Sequence, residues 1–410
     1  MKKMYLPVLM ILVFILGTIP QAFSSSVSST VIRNWDEVVS AAKGQSVNLY
    51  MWGGNNGTNL YLDRWVAPRL KSNFHINLRR VPVTDIRQTI NKLLTEKKLE
   101  RPGGSVDIIW INGENFRLAR ENELLFGPFT STLPNYKRFI EEEGAPFMTD
   151  FGHPVDGYEA PWGKAQFVFV YDESKEGTPP DTIEELGRWI KENPGRFTYP
   201  SPPDFTGSCF VRHLLIEEYG GYQQYLELKG KDLLTAGNRK VWDILNELEP
   251  YLWRKGSTYP DSIGVLDQLY ANGEVWMTMN YNPLHALNQI NNSFFPGSSR
   301  TFVLRDGTFS NTHYLAIPFN SGSKEGAMVA IDFLLSPEAQ IEKFKPSVWG
   351  DGMVVDISRL GEKEKDLLDN IDLGSSVISP EILKEKSIPE FSSQYIDQIE
   401  KEWMENVAKQ

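Results

Sequence analysis

Five short polar clusters hold the side chains best suited to chemistry. They are Trp52-Gly53-Gly54-Asn55-Asn56-Gly57, Asn112-Gly113-Glu114-Asn115-Phe116, Phe205-Thr206-Gly207-Ser208, Asn280-Tyr281-Asn282-Pro283 and Trp349-Gly350-Asp351-Gly352. Trp52, Trp162, Tyr281 and Trp349 offer aromatic faces for stacking or for a cation. Glu114 and Asp204 can neutralise a positive group, while the amides of Asn55, Asn112, Asn115 and Asn280 can fix its orientation; Asn56 and Phe205 complete the set. The opposite charge is equally open. Thr206 and Ser208 sit where a helix begins, and its free backbone donors suit phosphate or carboxylate, with Lys164 assisting. A phosphorylated or zwitterionic compound would use both sets. Each candidate also has a structural alternative. Asp204 can cap the helix, Lys164 can be a solvated charge, a tryptophan near a chain crossover can be core, and Tyr281-Asn282-Pro283 can be a turn. If the stacking role is right, Trp52→Ala and Trp162→Ala weaken binding far more than folding.

Catalytic constellations are scarce. The five histidines, His75, His153, His213, His285 and His313, show no metal-ligand spacing, so neither a metal nor a cofactor is expected. No Gly-x-Ser-x-Gly elbow occurs. Cys209 and His213, four apart, could share a helix face, and they are the one nucleophile–base pairing on offer. The rival class is an exported carbohydrate-active hydrolase. It needs two opposed carboxylates at a defined separation, and no motif commits any carboxylate here to that work. The net charge of −11 argues against nucleic acid and anionic membrane as partners.

The elements that must position these clusters alternate. Met1–Ala22 has Lys2 and Lys3, an apolar run from Met4 to Leu16, then Gly17 and Pro20, the pattern of a secretory signal peptide cleaved near residues 22–24. Cys209 stands alone, so no intramolecular disulfide can form even in an oxidising compartment. With 410 residues, 41% of them hydrophobic, the chain can fill two domain cores. Ser46–Trp52, Ile76–Val81 and Val106–Ile111 read as strands separated by helical segments, one of them Asp85–Leu99 and another kinked at Pro68. That order predicts an α/β domain with a mainly parallel sheet. Ligands in such sheets sit beyond the carboxyl ends of the strands, so the Trp52 and Asn112 loops should share one rim. Thr58 or Asn59 should cap the first helix, and Thr182 with Glu185 forms a capping box. Ala165–Tyr171 and Arg196–Tyr199 read as further strands, Cys209–Tyr219 as a helix, and the charged tail from Glu381 as a surface helix.

In this order the chain resembles the type II solute-binding proteins of bacterial ABC importers, nearest the YnjB-type group beside the thiamine-, polyamine- and ferric-ion-binding proteins. The motifs are Val106-Asp107-Ile108-Ile109, the Pro161–Val170 crossover, Pro179–Leu186, Pro200-Ser201-Pro202, Thr206-Gly207-Ser208 and Ala330–Gln340. The resemblance implies an α/β, two-lobed periplasmic-binding-protein-like fold with the ligand cleft between lobes. Lobe one would span residues 27–160 plus 306–410, and lobe two residues 161–305. It also implies a periplasmic monomer that captures a small organic solute, cationic or phosphorylated, and delivers it to an ABC permease without catalysis. A ligand sensor for a membrane receptor would share the fold. Ferric-ion binders of that superfamily use adjacent tyrosines, which this sequence lacks.

Overall fold

Strand formation follows the apolar alternation. A computed structural model describes residues 34–142, 145–218, 220–227, 238–390, 392 and 395–408. The expected signal peptide, the Ser-rich stretch after it and Tyr219 lie outside the described residues. The strands are β1 (Ser46–Trp52), β2 (Asn77–Val83), β3 (Ile108–Ile111), β4 (Leu125–Phe126), β5 (Thr149–Asp150), β6 (His153–Pro154), β7 (Glu159–Gln166), β8 (Val168–Asp172), β9 (Met277–Asn280), β10 (Ser299–Phe302), β11 (Thr308–Pro318) and β12 (Ser387–Pro389). A seven-stranded sheet runs β12-β11-β3-β1-β2, with β4 and β7 also on β11. Its β2-β1-β3 part is parallel, whereas β11 runs antiparallel to β3, β4 and β7. The sheet is therefore mixed, not mainly parallel: the chain returns from a second body instead of continuing the strand–helix alternation.

Both faces of this sheet are covered. Val47, Leu49 and Met51 of β1 belong to one core. Ile109 and Ile111 of β3 belong to another, with Ile90, Leu93 and Phe116 from helices. Each such side chain contributes about 1.5–3 kcal/mol on full burial. A separate three-stranded sheet, β10-β8-β9, carries its own core of Phe167, Phe169, Leu186, Phe210, Leu214 and Met279.

The run read as one strand, Ala165–Tyr171, changes sheet midway. Gln166 pairs with Ser310 in the large sheet, and Val168 pairs with Asn280 in the small one. Phe167 between them donates its N–H to Phe309 O at 2.7 Å, so the crossover stays hydrogen-bonded. Arg196–Tyr199 forms no strand; its carbonyls make isolated bonds to Trp276 N and Trp253 N. Before Pro68 the chain widens into a π-helical segment, Tyr61–Val66, and a helix continues over Ala67–Phe74. The tail is not simply a surface helix. It contains Pro380–Glu385, strand β12 and the helix Ile396–Asn406, whose Ile396, Ile399 and Trp403 are buried because their spacing gives that helix an apolar face.

Candidate functional site

The first rim forms where three helices begin beside parallel strand ends. Asn55 lies just past β1 and caps the helix Asn56–Leu60, its Oδ1 accepting from Thr58 N at 3.0 Å, so the cap is Asn55 and neither Thr58 nor Asn59. Trp52, at the end of β1, is 46% exposed, and Asn56 beside it is exposed. Asp85 caps Ile86–Lys98, and Asn112 precedes Gly113–Glu121. Gly113 takes φ +60, and its N–H donates to Asp150 Oδ2 at 2.5 Å. A buried carboxylate thus already occupies that helix start. Glu114 follows in the first turn, half-buried, with Asn115 Nδ2 donating to its Oε1 at 3.3 Å. Burial raises the Glu114 carboxyl above its usual range; Arg87 and Arg212 oppose the rise and Asp397 adds to it.

Facing it is the helix Phe205–Glu218. Asp204 closes its start: Oδ1 accepts from Thr206 N and Gly207 N, each at 2.9 Å, and Oδ2 from Ile263 N at 3.2 Å. The donors that could have cradled an anion are spent on this cap. Gly207 is needed for packing, since a Cβ there would lie 1.9 Å from Pro200 O. Phe205 is 40% exposed, and its ring meets Tyr281 at 4.7 Å and Phe151 at 6.3 Å.

About two turns into that helix lies a group the sequence reading missed. Arg212 is fully buried; its Nη1 donates to Ser208 Oγ at 2.9 Å, and its Nη2 to Tyr281 Oη at 3.1 Å and Glu390 Oε2 at 3.2 Å. Tyr281 Oη and Asn311 Nδ2 both donate to Glu390 Oε1. The guanidinium is thereby neutralised and held by Ser208 on its own helix and by Tyr281 and Glu390 from two other parts of the chain. Ser208 also donates to Glu400, whose carboxyl is pushed up to about 7, chiefly by burial. A charged residue inside the run Cys209–Ile216, apolar but for its neighbour His213, was the available signal for Arg212. No local signal marked Glu390 or Glu400, because their partners lie far off in sequence.

The remaining candidates are structural in this arrangement. Trp162 is fully buried and Trp349 nearly so; they pack with Trp110 and His313 at ring distances of 4.9–5.9 Å. Their faces are covered by one another. Asp351 anchors this cluster, accepting from His313 Nε2 at 3.1 Å and Lys343 Nζ at 2.6 Å. Lys164 is exposed on β7, and its backbone pairs with Gly352. Asn280 Oδ1 accepts from Asn282 N at 2.9 Å and so builds the turn. His213 cannot serve Cys209 as a base. Its Nε2 accepts from Phe309 N at 3.1 Å, which leaves the proton on Nδ1 for Cys209 O at 2.9 Å. Burial lowers that imidazole to about 3 and raises the thiol.

The structure therefore brings together Glu114, Phe205, Ser208 and Tyr281, and joins to them Arg212, Glu390 and Glu400. Among the described residues no group of His, Cys, Asp and Glu could hold a metal ion, and no helix is long and apolar enough to cross a membrane.

Comparison with known proteins gives consistent matches. A family model described as "Bacterial extracellular solute-binding protein" matches residues 65–355. The YnjB protein of Escherichia coli (strain K12) is 38% identical over 341 residues, 83% of this chain and 87% of that protein. Among solved structures, the spermidine/putrescine ABC transporter substrate-binding protein PotD from Streptococcus pneumoniae superposes with a TM-score of 0.62 at 14% identity, covering 88% of this chain and 98% of that one. A periplasmic thiamin binding protein superposes with a TM-score of 0.59 at 15% identity, covering 88% of this chain and 96% of that one.

Proposed function

The chain belongs to the bacterial extracellular solute-binding protein family, and from that premise we propose that its cleft captures a small organic cation for an ABC permease. The two-lobed type II fold is that of the solved structures it matches. In this reading the lobes are residues 27–160 with the return from 306, and residues 161–305, with the C-terminal helix docked on the second. Capture takes place outside the cytoplasm, in the periplasm, after removal of the Met1–Ala22 segment. The protein works as a monomer and without catalysis.

One observation carries the sign of the charge. Arg212, the buried cation facing Glu114, is already matched by Glu390, and Asp204 has used the donors of the Phe205 helix. The unspent chemistry is the Glu114 carboxyl with the exposed rings of Trp52 and Phe205. A carboxyl whose charged form is disfavoured by burial gains most when a cation settles beside it, and the rings supply cation–π attraction. The solutes after which the two structural relatives are named, a polyamine and thiamin, are cations of this kind.

Native mass spectrometry of gently purified protein, followed by thermal-shift measurements with putrescine, spermidine, thiamine and inorganic phosphate, tests the proposal. A true solute at a hundred times its Kd adds about 2.7 kcal/mol of stability. Stabilisation by phosphate and by none of the cations would reject the reading.

A further inference from the structure

The groups around Arg212 are arranged as they would be around a bound carboxylate. Its guanidinium carbon sits over the Phe205 and Phe309 rings, 5.9 Å from each centroid, and its side chain is fully buried. Phe205 is partly open to solvent and reaches the Phe151 ring, which lies against Gly113 on the facing rim. The guanidinium therefore stands behind a ring that lines the cleft. A guanidinium so placed recognises an anion, because its planar fork pairs with carboxylate or phosphate.

Here the anion belongs to the chain. Glu390 Oε2 accepts from Arg212 Nη2 at 3.2 Å, and Oε1 accepts from Asn311 Nδ2 at 3.3 Å and from Tyr281 Oη. Both oxygens thus hold the donors that an exogenous carboxylate would take, and the Glu390 side chain is buried among them. Arg212 Nε has no hydrogen-bond partner among the described residues, so the side chain that fills this seat does not use the whole fork. Glu390 lies in the tail, anchored on both sides. Pro389 pairs with Ser310 immediately before it, in the β11–β12 ladder. After it, Ile399, Trp403 and Val407 join the second core, with Trp403 Nε1 donating to Tyr199 Oη at 3.1 Å. Backbone pairing and packing deliver the carboxylate, so little freedom is lost in seating it.

We propose that Glu390 sets the sign of charge that the site accepts: it is a built-in counter-ion, seated where an anionic solute would sit, that closes Arg212 to carboxylates and phosphates and leaves the neighbouring ring surface to a cation. This deepens the cation reading above and rests on it. With Glu390 in place the pair behind Phe205 carries no net charge, and a cation approaching that ring meets the attraction of its face. Without Glu390 the same cation would meet an unpaired buried charge of its own sign. An anion would instead find a desolvated guanidinium with its donors free.

Calorimetric titration of the full chain with putrescine, spermidine, thiamine, formate and inorganic phosphate tests this in Glu390→Gln and Glu390→Ala. Glu405→Gln, at an exposed acid on the following helix, is the control. Both Glu390 variants should lose about tenfold or more in affinity for the cation that wild type binds and should gain saturable anion binding; the control should do neither. In Glu390→Ala, saturating formate should refill the vacated position and restore cation affinity, while chloride at equal ionic strength should not. Loosened packing alone would not produce that difference. The double change Arg212→Met with Glu390→Met removes both charges and keeps the test decisive where a single change fails to fold. It should bind no anion and recover most of the lost cation affinity. Cation affinity unchanged in the Glu390 variants with no anion gained, or wild type binding anions as tightly as they do, would overturn the proposal while leaving the cation titrations to judge the cation reading. If wild type binds none of the three cations, that reading falls, and the anion titrations alone decide the counter-ion role: gained binding upholds it and none overturns it.

Discussion

At the scale of single residues, burial decides which charged groups support the fold and which remain free for a solute. Arg212 and Glu390 form a buried pair with side chains 0% and 2% exposed. Arg212→Met leaves the carboxylate unmatched and should cost about 3–5 kcal/mol in urea unfolding, whereas the double change with Glu390→Met should recover most of it. Glu400 behaves oppositely. Its folded pKa, about 7, lies above the unfolded value, so the folded state binds the proton more tightly. Its stabilising contribution is complete below the unfolded pKa and is lost as pH rises through about 7. Glu400→Gln should consequently melt higher than wild type above that pH, and the gap should close in acid. Trp162→Ala should unfold more easily by about 3–5 kcal/mol instead of acting selectively on binding, because the ring is core. Glu114, Phe205, Ser208 and Tyr281 were nominated from residue type beside turns, and the fold places them near one another. Arg212 and Glu390 are 178 positions apart, and no local pattern encodes so distant a pairing.

At the scale of elements, the helix starts set the site. Asp204 supports two of them at once, so Asp204→Ala should cost about 1–2 kcal/mol in a thermal melt. Gly207→Ala should be worse tolerated than a typical surface change, because its Cβ would collide with Pro200 O. Much of this level was legible. The Thr182–Glu185 box forms, with Glu185 N donating to Thr182 Oγ1 and Asp181 N to Glu185 Oε2, each at 3.1 Å. Those signals lie within a few residues of each other. The sheet change at Phe167 was not legible, since the apolar run Phe167–Tyr171 has the same pattern in either sheet. Arg196–Tyr199 failed as a strand for a related reason: its burial suits a strand, but no ladder partner lies alongside.

At the scale of the whole molecule, two cores are joined by the β7–β8 crossover, the β10–β11 return and the tail that bridges through Asp397 and Arg87. Closure about those connections should reduce the radius of gyration in small-angle scattering when the solute is added. The most direct test of cation capture is calorimetric titration of the full wild-type chain with putrescine, spermidine, thiamine and phosphate at about one unit below and one unit above the Glu400 pKa. The account requires saturable binding of at least one cation, tighter at the higher pH, with no binding of phosphate. Saturable phosphate binding with no response to any of the cations would contradict it.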